Sequence, residues 1–197
     1  VQLIEDSIDP KISNSAFLEK YNVKDTGTWK LNEVRQKAKK IGKQNLIKNI
    51  VSCIYRPLEP RYILLSSIFA DRPRMEVMQG MELDGNYSIS AMRQVTGNIP
   101  YSHVIVSDSC IDDRAMYSNR GTLSFFPMYL IEDGKERENI KTNLSSIVNL
   151  HLGILDSKPS LLNESIFDYI IAFLHSDSFR TRYLESLKIE FPRIQFT

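Results

Sequence analysis

The chain has 197 residues, 42% of them hydrophobic and 25% charged, which allows a buried core and argues against a disordered or fibrous protein. Its formal net charge of +1 argues against a protein that coats nucleic acid over its whole surface, although a local basic face is compatible with it. No apolar run approaches the ~20 residues of a bilayer span and the chain does not begin like a signal peptide, so we expect a cytoplasmic protein with no membrane partner.

The first part of the chain, residues 1–49, is predicted to be a helical, basic connector. Ser13-Asn14-Ser15 is typical of an N-cap and predicts a short helix that begins near Ala16. A second helix is predicted over Leu31–Ile41, because apolar residues recur there at helical spacing.

Basic residues crowd the second predicted helix and the segment after it, and Glu33 is the only acid among them. They are Lys30, Arg35, Lys37, Lys39, Lys40, Lys43 and Lys48. Because a helix displays such residues along its surface, we expect one strongly positive face.

The middle part, residues 50–135, is predicted to be a sheet-rich core. Short apolar or alternating runs separated by turn residues give the strand candidates Tyr62–Phe69, Tyr87–Ala91, Ser102–Ser107 and Thr122–Leu130. Pro127 in the last run indicates an edge strand or the end of a strand. We expect a mixed or antiparallel sheet.

The last part, residues 136–197, is predicted to be helical again. The candidates are Ile140–Leu152, Ser165–Phe173 and Ser178–Leu187, and the polar residues 175–178 can cap the last of them. The predicted fold is therefore α+β, with a central sheet flanked by N-terminal and C-terminal helices.

The middle part also contains arginine to the exclusion of lysine. Between Lys48 and Lys135 there is no lysine, whereas the segment has Arg56, Arg61, Arg72, Arg74, Arg93, Arg114 and Arg120. The planar guanidinium can bind guanine N7 and O6 together or hold a phosphate with two hydrogen bonds. The pattern favours a base-reading surface beside a phosphate-holding lysine helix. The alternative is structural ion pairing with six acids of the same segment, Glu59, Asp71, Glu76, Asp84, Asp108 and Asp113.

Two Arg-Pro motifs lie in this segment, in residues 55–62 (YRPLEPRY) and 71–74 (DRPR). Proline restricts the preceding residue to extended backbone, so Arg56 and Arg72 are expected outside helices. A stiff backbone would reduce the entropy that either arginine loses on binding a ligand, but Arg-Pro corners are also common in ordinary loops.

Enzyme and metal motifs are incomplete throughout. The sequence has no GxSxG, P-loop, GxGxxG or Asn/Asp-Pro-Pro-Tyr motif. His103, His151 and His175 lack the mutual spacing of a zinc site, and Cys53 and Cys110 lie far apart in sequence, as reduced structural thiols would. We expect no catalytic residue, no metal and no cofactor in this chain.

Two weaker candidates involve acids and aromatic residues. Asp108, Asp112 and Asp113 could bind Mg²⁺ in a nuclease, yet no lysine follows them at the spacing that such sites use. Phe125, Phe126, Pro127 and Tyr129 could stack on bases, although aromatics at strand alternation more often belong to a core.

Four stretches together resemble a known family: residues 25–31 (in KDTGTWKL), 55–62 (YRPLEPRY), 125–130 (FFPMYL) and 169–194. Their order and spacing are similar to the C-terminal specificity domain of type ISP restriction-modification enzymes and related single-chain adenine methyltransferases. The family usually has Arg-Pro-Phe-Asp and Phe-Pro-Leu-Tyr-Leu, where this chain has Leu58-Glu59 and Met128.

The resemblance implies that the chain recognises a target sequence in double-stranded DNA and is not catalytic by itself. It implies an adenine-N6 methyltransferase domain in the same protein, which binds S-adenosylmethionine and can be accompanied by an endonuclease. The chain begins without Met, and we expect it to be a piece of such a protein.

Base readout is expected from turn residues, because family members with different targets share the Arg-Pro motifs. The base-reading candidates are Arg93, Gln94, Ser118, Asn119 and Arg120. The candidates for phosphate or domain-interface contacts are Lys37, Lys40, Lys43, Arg56, Arg61, Arg72 and Arg74. The alternative function is a protein-interaction module that docks a neighbouring catalytic domain without reading bases.

Overall fold

The structure is a computed structural model that describes residues 1–71, 73–95, 99–116, 121–131, 140–142 and 159–195. Its helices are α1 (Gln2–Ile8), α2 (Asn14–Lys20), α3 (Leu31–Ile41), α4 (Lys43–Ile47), α5 (Met75–Met78), α6 (Pro159–His175), α7 (Asp177–Arg182) and α8 (Leu184–Leu187). Its strands are β1 (Ile50–Arg56), β2 (Glu59–Leu64), β3 (Ser88–Met92), β4 (Val104–Ser107), β5 (Cys110–Ile111), β6 (Leu123–Pro127), β7 (Tyr129–Ile131) and β8 (Ile140–Thr142). A 3₁₀ turn spans Gln79–Glu82.

The chain divides into two compact units. Unit 1 comprises Val1–Ser52 and Tyr62–Met75, and unit 2 comprises Cys53–Arg61 and Glu76–Thr197. The division passes through the hairpin of β1 and β2, so each unit is described separately below.

Unit 1 is built around a small apolar core. Ile4 of α1, Ala38 of α3 and Leu46 of α4 are fully buried there, and partly buried apolar residues from β1, β2 and the segment after β2 pack on them. The buried positions of α3 are Leu31, Val34, Arg35 and Ala38, which leaves the rest of this helix to solvent.

Polar caps fix the helices of unit 1. The Ser13 hydroxyl accepts a hydrogen bond from the Ala16 amide at 3.2 Å, as expected for the N-cap of α2. The Asp25 carboxylate accepts a hydrogen bond from the first amide of α3, that of Leu31, at 2.9 Å. Thr26 accepts the Trp29 amide with its hydroxyl at 2.9 Å and donates its own amide to the Trp29 carbonyl at 2.8 Å. The KDTGTWKL stretch is therefore a turn that caps α3.

Arg35 is the one charged side chain on the buried face of α3, and it is only 7% exposed. Its guanidinium donates to the carbonyls of Ser7 at 3.0 Å, Asp9 at 2.5 Å and Ile12 at 2.7 Å. These carbonyls follow the end of α1 or lie at it, where helices leave carbonyls unsatisfied. Arg35 thus joins α3 to the connection between α1 and α2.

In unit 2, β3 is the central strand of an antiparallel sheet with the order β4-β3-β6. Ser88 pairs with Ser107 and Pro127, and Ala91 pairs with Val104 and Ser124. All five residues of β3 are buried, as expected for a strand that is covered on both faces. The core around it includes Met92, Tyr101, Leu123, Leu174 and Phe179.

A buried asparagine holds the chain where β6 gives way to β7. The Asn86 side chain is 1% exposed, donates to the carbonyls of Gly80 at 2.7 Å and Tyr129 at 3.0 Å, and accepts the Tyr129 amide at 3.1 Å. A Cβ at Gly80 would lie 2.8 Å from the Tyr129 carbonyl, so only glycine permits this approach.

Several predictions are confirmed. The fold is α+β, helix Leu31–Ile41 has the predicted bounds, and Pro127 ends β6 at the edge of its sheet. Ser176 caps α7 by accepting the Phe179 amide at 3.4 Å. The division of the chain into parts 1–49, 50–135 and 136–197 stays a prediction.

Other elements differ from the prediction. The strands are distributed over small sheets, with β1 between β2 and β5 and with β7 paired to β8. The sequence did not predict α1, α4, α5, β1 or β5, and it predicted a helix at Ile140–Leu152. Residues Ile140–Thr142 form β8 instead, because they pair with Tyr129–Ile131, and the remainder of that candidate lies outside the described residues.

We expect Arg35→Met to destabilise the protein by about 3 kcal/mol or more, because it leaves one buried and two partly buried carbonyls without their donor. Urea unfolding measures the change, and Gln36→Ala on the exposed side of α3 is the matched control. A free energy of unfolding within about 0.5 kcal/mol of the unsubstituted protein would show that Arg35 is dispensable.

Acid sensitivity is expected at Asp6, which is 4% exposed. Hydrogen bonds from Lys20 at 2.5 Å, Gln2 at 2.7 Å and Tyr21 at 2.8 Å lower the pKa of this carboxyl from 3.8 to about 2. Because the folded-state pKa is the lower one, the stabilisation is complete above pH ~4 and is lost as the pH falls towards ~2.

We therefore expect Asp6→Asn to be less stable at neutral pH and to lose less further stability between pH 4 and pH 2 than the unsubstituted protein. Urea midpoints measured across this range check the prediction. Parallel pH profiles for the two proteins would contradict it.

Candidate nucleic-acid interface

The exposed side of α3 presents a row of lysines. Lys37, Lys39 and Lys40 are exposed, and within the described part of the chain none of the three has an ion pair. Lys37 and Lys40 are three residues apart and therefore share one side of the helix. The predicted positive face is present, except that Arg35 is buried and does not belong to it.

Lys43 differs from the other lysines of this region. Its ammonium group lies 2.6 Å from the Glu5 carboxylate, and both side chains are about 40% exposed. The pair joins the start of α4 to α1. Its charge is therefore partly neutralised, which makes Lys43 a weaker candidate for a phosphate contact than Lys37 or Lys40.

The two units carry opposite net charge. Unit 1 contains 12 lysines and arginines against 7 acids, whereas unit 2 contains 13 against 17. The formal charges are thus +5 and −4, which sum to the +1 of the chain. A polyanion is therefore attracted to unit 1 rather than to the protein as a whole.

In unit 2, one end of the β4-β3-β6 sheet gathers exposed polar residues. β3 ends at Met92, which pairs with Leu123, the first residue of β6. Strand β4 begins at Val104, opposite Ala91. Consequently Arg93 and Ser102, from the connection between β3 and β4, and Thr122, from the connection that leads into β6, lie at this end of the sheet, and we call them the sheet-end cluster.

Arg93 is exposed directly after the buried strand β3, and Gln94 beside it is half-buried. The rigid strand places the Arg93 backbone while leaving its side chain in solvent. Ser102 is exposed and Thr122 is half-buried, and neither was among the predicted site residues. Only the order and register of the strands bring Ser102 and Thr122 to the same sheet end as Arg93, and the sequence does not reveal that order.

Other predicted residues are placed differently or not at all. Arg72, Ser118, Asn119 and Arg120 lie outside the described residues, so their proposed roles stay predictions. Arg74 is exposed and has a φ of 51°, a backbone conformation that is uncommon for arginine.

Arg56 and Arg61 lie near the tip of the β1–β2 hairpin, and both are ion-paired. Arg56 Nη1 is 3.4 Å from Asp112 Oδ1, and Arg61 Nε donates to Glu59 Oε1 at 2.9 Å. Both guanidinium groups lie over the Tyr55 ring, at 4.0 Å and 3.9 Å from its centroid. Arg56 and Arg61 therefore form structural ion pairs, as the alternative to DNA binding predicted, although Asp112 was not among the expected partners.

The thiols lie closer together than their sequence positions suggest. Cys53 and Cys110 are Cα partners on the parallel strands β1 and β5, and both are buried as free thiols. Burial raises the pKa of the Cys53 thiol, and it raises that of Cys110 to about 11. Both thiols are therefore protonated at neutral pH and are poor nucleophiles.

The histidines and acids do not converge. Burial lowers the pKa of His103, whose Nδ1 has no hydrogen-bond partner, and burial together with Arg180 lowers that of His175. Within the described ranges, no group of three or more His, Cys, Asp or Glu residues could hold a metal ion. In the same ranges, no helix is both long and apolar enough to cross a membrane.

The aromatic run beside β6 borders an apolar cleft in unit 2. Phe126 is 44% exposed and packs edge-to-face on Phe191 at 5.9 Å, while Phe125 and Tyr129 pack against the core. The cleft has a volume of about 460 Å³, and the described residues that line it are apolar apart from backbone, including Phe167 and Leu174. Such a lining offers a base no side-chain donor or acceptor.

Comparison with known proteins identifies the family. The model of the type ISP C-terminal specificity domain matches residues 2–197. No curated protein matches the chain.

Three solved structures are similar to the chain. A DrdV–DNA complex determined by cryo-electron microscopy shares 22% identity over 100% of this chain and 18% of that chain, with a TM-score of 0.58. The ATP-dependent type ISP restriction-modification enzyme LlaBIII bound to DNA shares 19% identity over 98% of this chain and 13% of that chain, with a TM-score of 0.66. A nuclease-deletion mutant of the type ISP enzyme LlaGI in complex with a DNA substrate mimic shares 18% identity over 98% of this chain and 17% of that chain, with a TM-score of 0.51. The chain thus spans less than a fifth of each of these three chains, and the likeness shows a shared fold.

Proposed function

The chain belongs to the family of type ISP C-terminal specificity domains, and from this premise we propose that it recognises a target sequence in double-stranded DNA for a larger restriction-modification protein. The observation that carries the proposal is the separation of charge between the units, +5 in unit 1 and −4 in unit 2. Such a separation gives one unit for phosphate attachment and leaves the other for contacts that depend on shape and hydrogen bonding.

Phosphate contacts are assigned to the exposed lysines of α3. A lysine ammonium is a mobile point charge, which suits a sequence-independent contact with the DNA backbone. Lys37 and Lys40 share one side of the helix and have no ion pair within the described residues, so DNA would not have to displace an acid from them.

Base contacts are assigned to the end of the β4-β3-β6 sheet. Arg93 offers a guanidinium for guanine, and Ser102 and Thr122 offer hydroxyl groups that can donate or accept. The two connections that meet at this sheet end can vary in sequence without disturbing the core, as a recognition surface requires. Gln94, Ser118, Asn119 and Arg120 remain proposed base readers.

The chemistry of the larger protein is assigned to other domains. We propose that an adenine-N6 methyltransferase domain of the same protein binds S-adenosylmethionine, that an endonuclease can accompany it, and that this chain only directs them to the site. We propose a cytoplasmic location, because the protein would act on duplex DNA. Buried, protonated thiols and scattered acids support a non-catalytic role for the described residues.

The lysine assignment predicts a change in salt dependence. In the full-length protein, we expect the double variant Lys37→Gln/Lys40→Gln to bind cognate and unrelated duplexes more weakly by the same factor. The slope of log K against log salt should become shallower by about 2, or about 0.9 for each lost phosphate contact. Fluorescence anisotropy titrations at several salt concentrations measure both quantities.

Lys43→Gln is the matched control, because Lys43 is paired with Glu5. We expect it to change the slope less than either single α3 variant does. An unchanged slope in the double variant would remove α3 from the DNA interface.

The sheet-end assignment predicts a change in specificity. In the full-length protein, Arg93→Ala should lose ~1–3 kcal/mol of discrimination at one base pair while retaining its affinity for unrelated DNA. Binding or methylation assays on substrates substituted at each position of the site give this measurement. Arg182→Ala, an exposed arginine on α7, is the control and should keep the discrimination.

The same assay separates the proposal from a protein-interaction module without base readout. For such a module, Arg93→Ala would leave discrimination intact at every position. An equal loss on all sequences would instead make Arg93 a phosphate contact and would overturn its assignment as a base reader.

A further inference from the structure

The turn between β1 and β2 holds a leucine in an unfavourable backbone conformation. The two turn residues are Pro57 and Leu58, and Leu58 has a φ of 64°. Because proline fixes its own φ near −65°, the pair has the φ signs of a type II turn, whose second position favours glycine or asparagine. A leucine at this position is strained, and a glycine would relieve the strain.

The same leucine is completely exposed, at 101% of its reference area. Its side chain therefore contributes nothing to packing in this chain and does not compensate for the strain. A strained residue that the fold does not use is a candidate for use in binding. The exposed apolar side chain is the part of the residue that a glycine would lack.

The backbone beneath Leu58 is held firmly. Arg56 and Arg61 lie over the Tyr55 ring at 4.0 Å and 3.9 Å, Arg61 is held by Glu59, and Arg56 by Asp112. Pro57 and Pro60 add two further restraints on either side of the leucine. The backbone that carries the side chain is thus restrained, which reduces the entropy lost on binding.

Charge decides which class of partner fits this hairpin tip, defined as residues 55–61. Its two arginines are neutralised by Glu59 and Asp112, and it belongs to the unit with a formal charge of −4. DNA would have to separate both ion pairs and approach a carboxylate. A protein surface would not, and arginine and tyrosine are enriched at the centres of protein interfaces.

We propose that the hairpin tip docks on a neighbouring folded domain of the same protein, with Leu58 in an apolar pocket of that domain. The partner is sought in the same polypeptide because each similar solved chain is more than five times as long as this one. The inference rests on the proposed function only in placing the chain within a larger protein.

The test uses the full-length protein without DNA. Leu58→Cys introduces a thiol at the hairpin tip, and N-ethylmaleimide labelling of the peptide that carries it is followed by mass spectrometry. Native Cys53 and Cys110 are buried and have raised thiol pKa values, so they react slowly. Ile189→Cys is the control, because Ile189 is 67% exposed in unit 2.

Docking predicts labelling at least tenfold slower for Leu58→Cys than for Ile189→Cys. Equal rates in the absence of DNA would overturn the proposal. Protection that appears only when duplex DNA is added would also overturn it, because the leucine would then insert into DNA. The measurement needs no DNA for its positive result, so a failure of target recognition at Arg93 leaves it unaffected.

A second pair of variants separates docking from local folding. Leu58→Gly relieves the backbone strain and removes the side chain, whereas Leu58→Met keeps an apolar side chain. We expect Leu58→Gly to unfold at the same or a higher temperature and yet to show a larger radius of gyration in small-angle X-ray scattering, while Leu58→Met stays compact. An unchanged radius in Leu58→Gly would contradict docking.

Discussion

The buried guanidinium of Arg35 is the interaction on which unit 1 depends. It satisfies three carbonyls in and after α1, and it does so from the inner side of α3, so it fixes the rotation of α3 about its own axis. With Leu31, Val34 and Ala38 on the same side, Lys37 and Lys40 must point to solvent. A buried basic residue therefore determines which side of α3 carries the lysines that we propose as phosphate contacts. Burying a charge is costly even when it is hydrogen-bonded, but removing Arg35 would cost more, since the carbonyls that it satisfies would remain at least partly buried without a donor.

In unit 2, the buried sheet fixes the backbone where two connections meet at one sheet end, while polar side chains on these connections remain accessible to solvent. The strand β3 is buried along its whole length and pairs on both sides, so the position of its last residue, Met92, is held by burial and strand pairing. Arg93, which follows Met92, and Thr122, which precedes Leu123, are therefore positioned by the paired strands. Asn86 makes a comparable contribution at the other end of the sheet, where it replaces strand pairing with three hydrogen bonds to backbone. Specific side chains can then vary on a constant frame.

Local signals in the sequence were sufficient for part of the fold. Ser13, Ser176 and the apolar spacing over Leu31–Ile41 act within one or two helical turns, and each predicted its element correctly. Strand β5 has two residues and exists because Cys110 and Ile111 pair with β1. Likewise β8 at Ile140–Thr142 depends on β7, which overrides its helical spacing. Elements that require a distant partner carry no local signal, and the sheet-end cluster was missed in part for the same reason. The base-reading assignments stay predictions.

Every lysine and arginine has the same formal charge, but the surroundings of each side chain determine whether it can bind a phosphate or a base. Arg35 is buried and donates hydrogen bonds to backbone carbonyls. In contrast, Arg56, Arg61 and Lys43 are paired with acids. For a paired cation, binding to a phosphate requires the loss of an existing partner, so the net gain is small even where the distance is favourable. The exposed lysines of α3 and Arg93 face no such exchange with the described residues. The conspicuous Arg-Pro motif at Arg56 is therefore better suited to holding a hairpin in shape than to binding DNA, and the less conspicuous Arg93 is better suited to reading it.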